Sequence, residues 1–436
     1  MKLIAFYLPQ YYPIPENNEW WGEGFTEWTN VAKAKPLYSG HYQPHIPADL
    51  GFYDLRLEET RIAQAELAKE YGIGAFCYYH YWFNGKMLLE RPFNEVLSSG
   101  KPDFPFCLCW ANENWSRRWD GREQEVLMEQ NYRDYNPYEH IEWLSSAFSD
   151  KRYLRIDNKP MFLVYYASAI PNLSEVIAEW RKAAMDKGFE GIYLCAAQLP
   201  RNNLTDEEII NAGFDAIFEF QPNLKGFSYN LHVSSLPGLN VVSYKKLVEA
   251  SLKKDNNSNI VIFPCVFPSW DNSPRRRNEA RIIQNEDAEL YKYWLLNSIE
   301  RVKRNRPEEQ IVFINAWNEW GEGCHLEPDL KHGRMFLEAT RQALIEDGQL
   351  STDQNASNSY YQEKSIEPQA KSEYYEFNAR RPIYIWGTGS SGDKTLKLFK
   401  YNRIRVKGWI DSDSSRWNTA KEGIKVYSPD FILDSK

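Results

Sequence analysis

The sequence predicts an α/β chain whose first part is a (β/α)8 barrel, and three observations predict it. Eight short apolar runs recur between residue 1 and about residue 345. Most are continuous rather than alternating, as strands covered on both faces tend to be. Helix-like segments separate them, and the residues just past the runs carry the chemistry, as the C-terminal strand ends of such barrels do. A doubly wound open sheet is the competing architecture for the same alternation.

The runs are Lys2–Leu8, Ile73–Tyr79, Pro105–Trp110, Met161–Tyr166, Ile192–Ala197, Ala216–Phe220, Ile260–Val266 and Ile311–Ala316. Leu55–Tyr71, Ser174–Lys187, Asp287–Lys303 and Arg334–Glu346 read as helices between them. The first run leads to Gln10, Tyr11 and Tyr12, and the second to His80, Tyr81 and Trp82. Asn112, Glu113, Asn114 and Trp115 follow the third, and Gln198 follows the fifth. The sixth ends at Glu219 and Gln221, the seventh leads to Trp270 and Asp271, and the eighth to Asn318, Glu319 and Glu322.

Beyond the barrel, the segment 351–380 is polar and nearly free of aliphatic residues, which is a linker composition. A third segment, 381–436, opens with a strand-like Pro382–Trp386, then Gly387, Gly389 and Gly392 in G-x-G-x-x-G spacing. A strand Val406–Ile410 ends at Asp411. That is the context of a phosphate-cradling turn with an acidic residue for a ribose. The chain holds only about one and a half such units, so a partial Rossmann-like segment, structural or docking, is expected, with cofactor binding at these residues as the alternative. The expected organisation is therefore a catalytic barrel over 1–350, a linker over 351–380 and the partial Rossmann-like domain over 381–436.

Composition narrows the function. The net charge of −8 argues against a general nucleic-acid binder. An aromatic fraction of 15%, with 16 Trp and 28 Tyr, fits either a ring-rich core or a carbohydrate cleft, since indole and phenol faces pack against sugar rings. Five of the six cysteines lie inside apolar runs, the pattern of reduced, buried thiols. His41 and His45 are split by Pro44 and form no helical metal pair, so neither metal nor cofactor is expected. No signal-peptide pattern and no run of about 18 apolar residues occurs, so a cytoplasmic protein without a transmembrane segment is expected.

The stretch Asn318–Pro328 reads N-E-W-G-E-G-C-H-L-E-P. An isolated pair of glutamates is most often a surface pair. Here Glu319 and Glu322 follow a buried strand among Trp317, Trp320, Gly321 and Gly323. Two carboxylates held apart in protonation are what acid/base chemistry on a sugar needs.

This stretch, with W-W-G-E-G-F-T-E-W at Trp20–Trp28, Y-H-Y-W-F at Tyr79–Phe83 and W-A-N-E-N-W at Trp110–Trp115, resembles the glycoside hydrolase family 99-like group. Within it, residues 1–345 are most similar to the WbsX-type glycosyltransferases of bacterial surface-polysaccharide (O-antigen or capsule) clusters. The resemblance implies a barrel acting with retention on α-linked sugars. It implies Glu319 as the base that assists attack by the sugar's own 2-hydroxyl, and Glu322 as general acid/base. It also implies a nucleotide- or lipid-linked sugar donor and a glycan acceptor, and is compatible with peripheral membrane association. An endo-α-mannosidase-like hydrolase is the alternative, and a non-catalytic carbohydrate-binding barrel a further one.

Sugar-contact candidates are Tyr11, Glu23, Trp82, Asn112, Glu113, Trp115, Glu219, Trp270, Asp271, Asn318 and Trp320. His80 reads equally as a core histidine, and Glu23 and Glu27 equally as parts of a loop packed over the barrel mouth. Arg117, Arg118, Arg275 and Arg276 follow strand ends and are the candidates for a donor diphosphate.

Overall fold

The computed structural model describes residues 1–117, 122–224, 239–253, 259–351, 383–386, 388, 396 and 406–429. Arg118, Gly387, Gly389, Gly392 and, beyond residue 351, the expected linker lie outside the described residues. The chain divides into two compact units, Met1–Thr352 and Asp353–Lys436.

In the first unit the eight apolar runs are eight strands. They are β1 (Lys2–Tyr7), β2 (Ala75–Phe83), β3 (Phe106–Trp110), β4 (Lys159–Val164), β5 (Tyr193–Gln198), β6 (Ala216–Glu219), β7 in two pieces (Ile262–Phe263 and Cys265–Val266) and β8 (Ile311–Ile314). Each pairs in parallel with its sequence neighbours, from β1 with β2 to β5 with β6. β7 divides its pairing: Ile262 and Phe263 lie on β6, Cys265 and Val266 on β8. Pro264, which has no amide proton, separates the two pieces, and its carbonyl accepts from Phe313 N at 2.8 Å. β8 returns to β1 with Lys2 opposite Ile311, so the sheet closes and the open-sheet alternative is excluded.

At least one helix follows each strand; the principal ones are α1 (Glu58–Glu70), α2 (Arg91–Ser99), α3 (Pro137–Phe148), α4 (Leu173–Asp186), α5 (Asp206–Asn211), α6 (Tyr244–Leu252), α7 (Ala288–Val302) and α8 (Met335–Glu346). Local sequence explains their starts. Asn136 accepts from the amides of Tyr138 and Glu139 ahead of Pro137, and Thr205 forms a capping box with Glu208. On α4, Leu173, Ile177, Trp180 and Ala184 recur at helical spacing and are the buried face.

Alternation sorts the barrel strands into an inner and an outer set. On β1, Phe6 points inward and stacks on Phe313 and Tyr79 at ring distances of 5.3 and 5.7 Å. Tyr7 points outward, and its hydroxyl donates to Gln64 on α1 at 2.6 Å. The interior is thus plugged with rings; burying one phenylalanine of this kind contributes about 2 kcal/mol. All six cysteines are buried and none is in a disulfide. No helix among the described residues is long and apolar enough to cross a membrane.

In the second unit, β9 (Ile383–Trp386) pairs in parallel with β10 (Val406–Ile410), as the sequence suggests. Ile424–Tyr427 continues the sheet in parallel, and Ala420–Lys421 pairs antiparallel at its edge. Asp411, the ribose ligand under the cofactor-binding alternative, bonds its own chain: one carboxylate oxygen accepts from the Thr388 amide and hydroxyl, the other from the Asp413 amide.

Candidate active site

A cavity of about 790 Å3 opens at the C-terminal ends of the barrel strands. Aromatic residues form much of its wall: Tyr79 and Tyr81 from β2, Trp115, Tyr165, Phe220 and Trp270. Its polar lining includes Gln10, Glu113, Arg201, Arg275, Arg276, Glu319 and Glu322. Rings beside clustered charges suit a ligand that has both an apolar face and hydroxyl groups.

The charges are organised by one guanidinium. Arg275 sits on a short helix, Ser273–Arg276, after β7. Its Nη2 lies 2.8 Å from Glu319 Oε2, its Nη1 2.8 Å from Glu322 Oε1, and its Nε 2.8 Å from Glu27 Oε1. Glu27 opens the helix Glu27–Lys33 in the first loop and is fully buried. Glu322 sits at the end of the single 3-10 turn Trp320–Glu322.

The glycines of the eighth loop permit this approach. A Cβ at Gly321 would lie 1.6 Å from Glu27 Oε1, and one at Gly323, whose φ is +54°, would lie 3.0 Å from the Asp271 backbone. Only glycine admits both the contact at 321 and the left-handed conformation at 323 without strain.

Three carboxylates around one guanidinium would carry a net −2 if all were ionised, so the cluster favours keeping a proton. Burial pushes Glu319 up to about 8; Arg275 opposes this, while Glu322 and Glu27 add to it. Glu322 is also raised, by burial first, with Arg275 again opposing. Of the two, Glu319 is the deeper side chain, 7% exposed against 23%.

The eighth loop is fixed from behind. Asn318 accepts from Leu8 N at 2.7 Å and donates to Leu8 O at 3.0 Å, pinning the loop to the end of β1. The Tyr11 hydroxyl bonds the Asn318 carbonyl and accepts from Trp320 N. Trp320 Nε1 donates to Glu327 Oε2 at 2.6 Å, and Glu327 also accepts from Tyr53 and Gln64. Tyr11, Asn318 and Trp320 are therefore behind the cavity wall, not part of its lining.

Other expected contacts separate in the same way. Glu113, Trp115 and Trp270 line the cavity, and Arg201 reaches Glu113 Oε1 at 2.6 Å. His80 and Trp82 do not line it. β2 runs on to Phe83, paired with a hairpin strand Lys86–Leu88, so alternation sends Tyr79 and Tyr81 into the cavity and His80 and Trp82 out to the helix layer. There His80 stacks on Trp143 and Trp82 on His140. Asn112 ties the Tyr166 backbone from both its amide atoms. Glu219 turns to Arg301 on α7 at 3.1 Å. Glu23 is exposed and bonds Asn18. Asp271 is gripped at 2.6 Å by both His41 and Gln43.

Of the arginines, Arg117 pairs with Glu125 and lies over the Trp21 ring, outside the cavity lining. Arg275 is engaged by the carboxylates, and Arg276 lines the cavity. Arg201 gave no sequence signal, because its partner Glu113 belongs to another strand end. Tyr79 and Tyr81 were recoverable from alternation, given the true end of β2. Among the described residues, one group of metal-ligating side chains, His45, His325 and Asp329, lies outside this cavity.

A family model described as Glycosyltransferase WbsX matches residues 3–340. Two strains of Xanthomonas campestris pv. campestris have relatives, both called Uncharacterized protein WxcX, that are 41% identical over 359 residues. The match covers 80% of this chain and 50% of theirs, so the chain spans about half the length of these relatives. Among solved structures, a glycoside hydrolase-like protein shares the barrel at a TM-score of 0.50 and 14% identity, over 78% of this chain and 93% of that one. An endo-alpha-mannosidase of family GH99 from Bacteroides thetaiotaomicron is also similar, with a TM-score of 0.47 and 16% identity over 79% of this chain and 96% of that one.

Proposed function

Because the chain belongs to the WbsX glycosyltransferase family, we propose that it is a retaining glycosyltransferase of bacterial surface-polysaccharide assembly, working through Glu319 and Glu322. The observation that supports this reading is the Arg275 clamp, which holds both carboxylates on the wall of an aromatic cavity at the strand ends.

In this reading the donor sugar lies against the rings with its anomeric carbon toward the pair. Glu319, ionised, takes the proton of the 2-hydroxyl as that oxygen attacks the anomeric carbon and the bond to the leaving group breaks. Glu322, protonated, gives its proton to the leaving oxygen and is left ionised. In the second half, an acceptor hydroxyl opens the epoxide-like intermediate, Glu322 takes the acceptor proton, and Glu319 returns its proton to the 2-oxygen. Two inversions give retention.

Without substrate, burial favours the proton on the deeper Glu319. The base role therefore requires that proton to pass to Glu322 when a sugar fills the cavity, and Arg275, touching both, stabilises whichever is ionised. A nucleotide- or lipid-linked donor and a glycan acceptor are the partners, with Arg201 and Arg276 in the cavity lining as the cationic residues an anionic leaving group would meet.

The test is to incubate the protein with nucleotide- and lipid-linked sugars and acceptor oligosaccharides in 18O-labelled water, following products by mass spectrometry. Acceptor-linked product with unlabelled, retained linkage supports transfer. Release of 18O-labelled sugar identifies a hydrolase instead, and binding without turnover of any donor identifies a carbohydrate-binding barrel.

A further inference from the structure

Behind the active cavity lies a second one of about 320 Å3, lined by His41, Tyr42, His45, Asp271, Glu286 and His332 among others. At its edge three buried side chains from two distant loops converge. His45 Nδ1 lies 2.8 Å from His325 Nε2, and each of these nitrogens lies 3.9 Å from Asp329 Oδ2. All three residues are at most 5% exposed. We propose that His45, His325 and Asp329 form a binding site for one divalent transition-metal cation of the zinc class, which fastens the first loop to the eighth.

The donor set fits such an ion. Two imidazoles and a carboxylate suit zinc, and ligand atoms about 2.0–2.2 Å from an ion lie no more than about 4.2 Å apart, which all three separations satisfy. The ligands are oriented by groups behind them. His325 Nδ1 is 2.8 Å from the Glu327 carbonyl, which fixes its proton there and leaves Nε2 with a free lone pair. Asp329 is held by the His332 amide at 2.6 Å and the His332 ring at 3.1 Å.

Without an ion, one proton lies between His45 and His325. Binding moves it to the other ring nitrogen of His45, so coordination needs no net proton release.

Glu286 pairs with Lys331 at 2.7 Å, and the His332 ring lies between Glu286 at 3.2 Å and Asp329 at 3.1 Å. The neighbouring cavity, which His45 lines, would give the ion a path and room for a fourth ligand. The backbones of the two loops already meet here, with Ala48 N on Pro328 O and Leu330 N on Ile46 O, both at 2.9 Å. Glu319 and Glu322 belong to the same eighth loop, and His325 stacks on Trp320 at 3.7 Å. The ion would rigidify that loop from outside the active cavity.

The test uses the full chain, stripped with a chelator and titrated with Zn2+ by calorimetry and with Co2+ by visible absorption. We expect close to one equivalent of Zn2+, Co2+ bands between 500 and 650 nm typical of a low-coordinate site, and a metal-dependent rise in melting temperature. His45→Ala and Asp329→Asn should each weaken binding at least ~10-fold, the scale of lost ligand support. Circular dichroism and melting of the metal-free variants separate lost ligation from lost folding. His325→Gln, which keeps the size of the ring's place in the loop, is the alternative where either variant unfolds. Absence of stoichiometric binding by the stripped wild type, or equal binding by folded variants, overturns the proposal. Sugar turnover is not a readout here, so either reading can fail alone.

Discussion

Glu319 and Glu327 stand eight residues apart on one loop and are both buried, yet their surroundings give them different chemistry. Glu319 faces the cavity, shares one arginine with two other carboxylates, and is pushed up to about 8, by burial first. Glu327 sits behind the cavity, where neutral donors surround it: Trp320, Gln64 and Tyr53, with burial pushing it up to about 7. A charged partner shared by several acids lets a proton be exchanged among them. Neutral donors with one acceptor each fix a geometry. Burial raises a carboxyl in both places, so burial alone does not mark the reactive one; the partner's charge and access to the cavity do.

The strongest test of this contrast is Glu322→Gln. It should lower turnover about 10^3-fold while sugar affinity, measured by calorimetry, changes only a few-fold. A comparable loss of turnover in Glu327→Gln would erase the distinction between the two regions.

Arg275→Lys comes next. One ammonium cannot serve three carboxylates held on three guanidinium nitrogens. With the same charge on a shorter reach, Glu319 loses its direct ion pair and is raised further, so the acid limb of the pH–rate profile should move to higher pH and turnover should fall about 100-fold. An unshifted limb would show that Arg275 does not set the pair's protonation.

Gly321→Ala should weaken the same cluster from the backbone side, since its methyl group would meet Glu27 Oε1. A loss of about 2–3 kcal/mol on chemical denaturation is expected, with turnover falling alongside. Glu327→Gln, by contrast, should cost about 1–2 kcal/mol of stability by turning an amide toward donors, and leave most turnover intact.

The smallest effect is a slope. Glu319 holds its proton in the folded protein up to about pH 8, while in the unfolded chain it loses it near 4.3. The folded state then binds more protons between those values, so this group makes stability fall as pH rises through that window. Glu319→Gln should flatten the decline, measured by denaturation midpoints from pH 5 to 8. An unchanged slope would place the retained proton elsewhere.

Much of the barrel was legible because its strands are covered on both faces and read as unbroken apolar runs. The helices Leu173–Asp186 and Ala288–Val302 lie within two residues of their expected bounds, because burial on one face imposes helical spacing. The end of β2 was less legible. Tyr79–Phe83 carries an aromatic ring at every position, so nothing in the run says where pairing stops or which face is which, and a one-residue shift exchanges the inward and outward sets.

What the sequence determined by itself was the alternating order of strands and helices, the burial of the cysteines and the placement of Glu319 and Glu322 at the end of the eighth strand. These follow from local periodicity and from residues adjacent in the chain. Only the tertiary structure decided that Glu27 joins them through Arg275, that Asn112, His80 and Asp271 serve packing instead of the cavity, and that His45 meets His325 and Asp329 rather than His41. Each depends on side chains from loops far apart in sequence, whose meeting is set by closure of the barrel. No spacing within one segment encodes which loops that closure brings face to face.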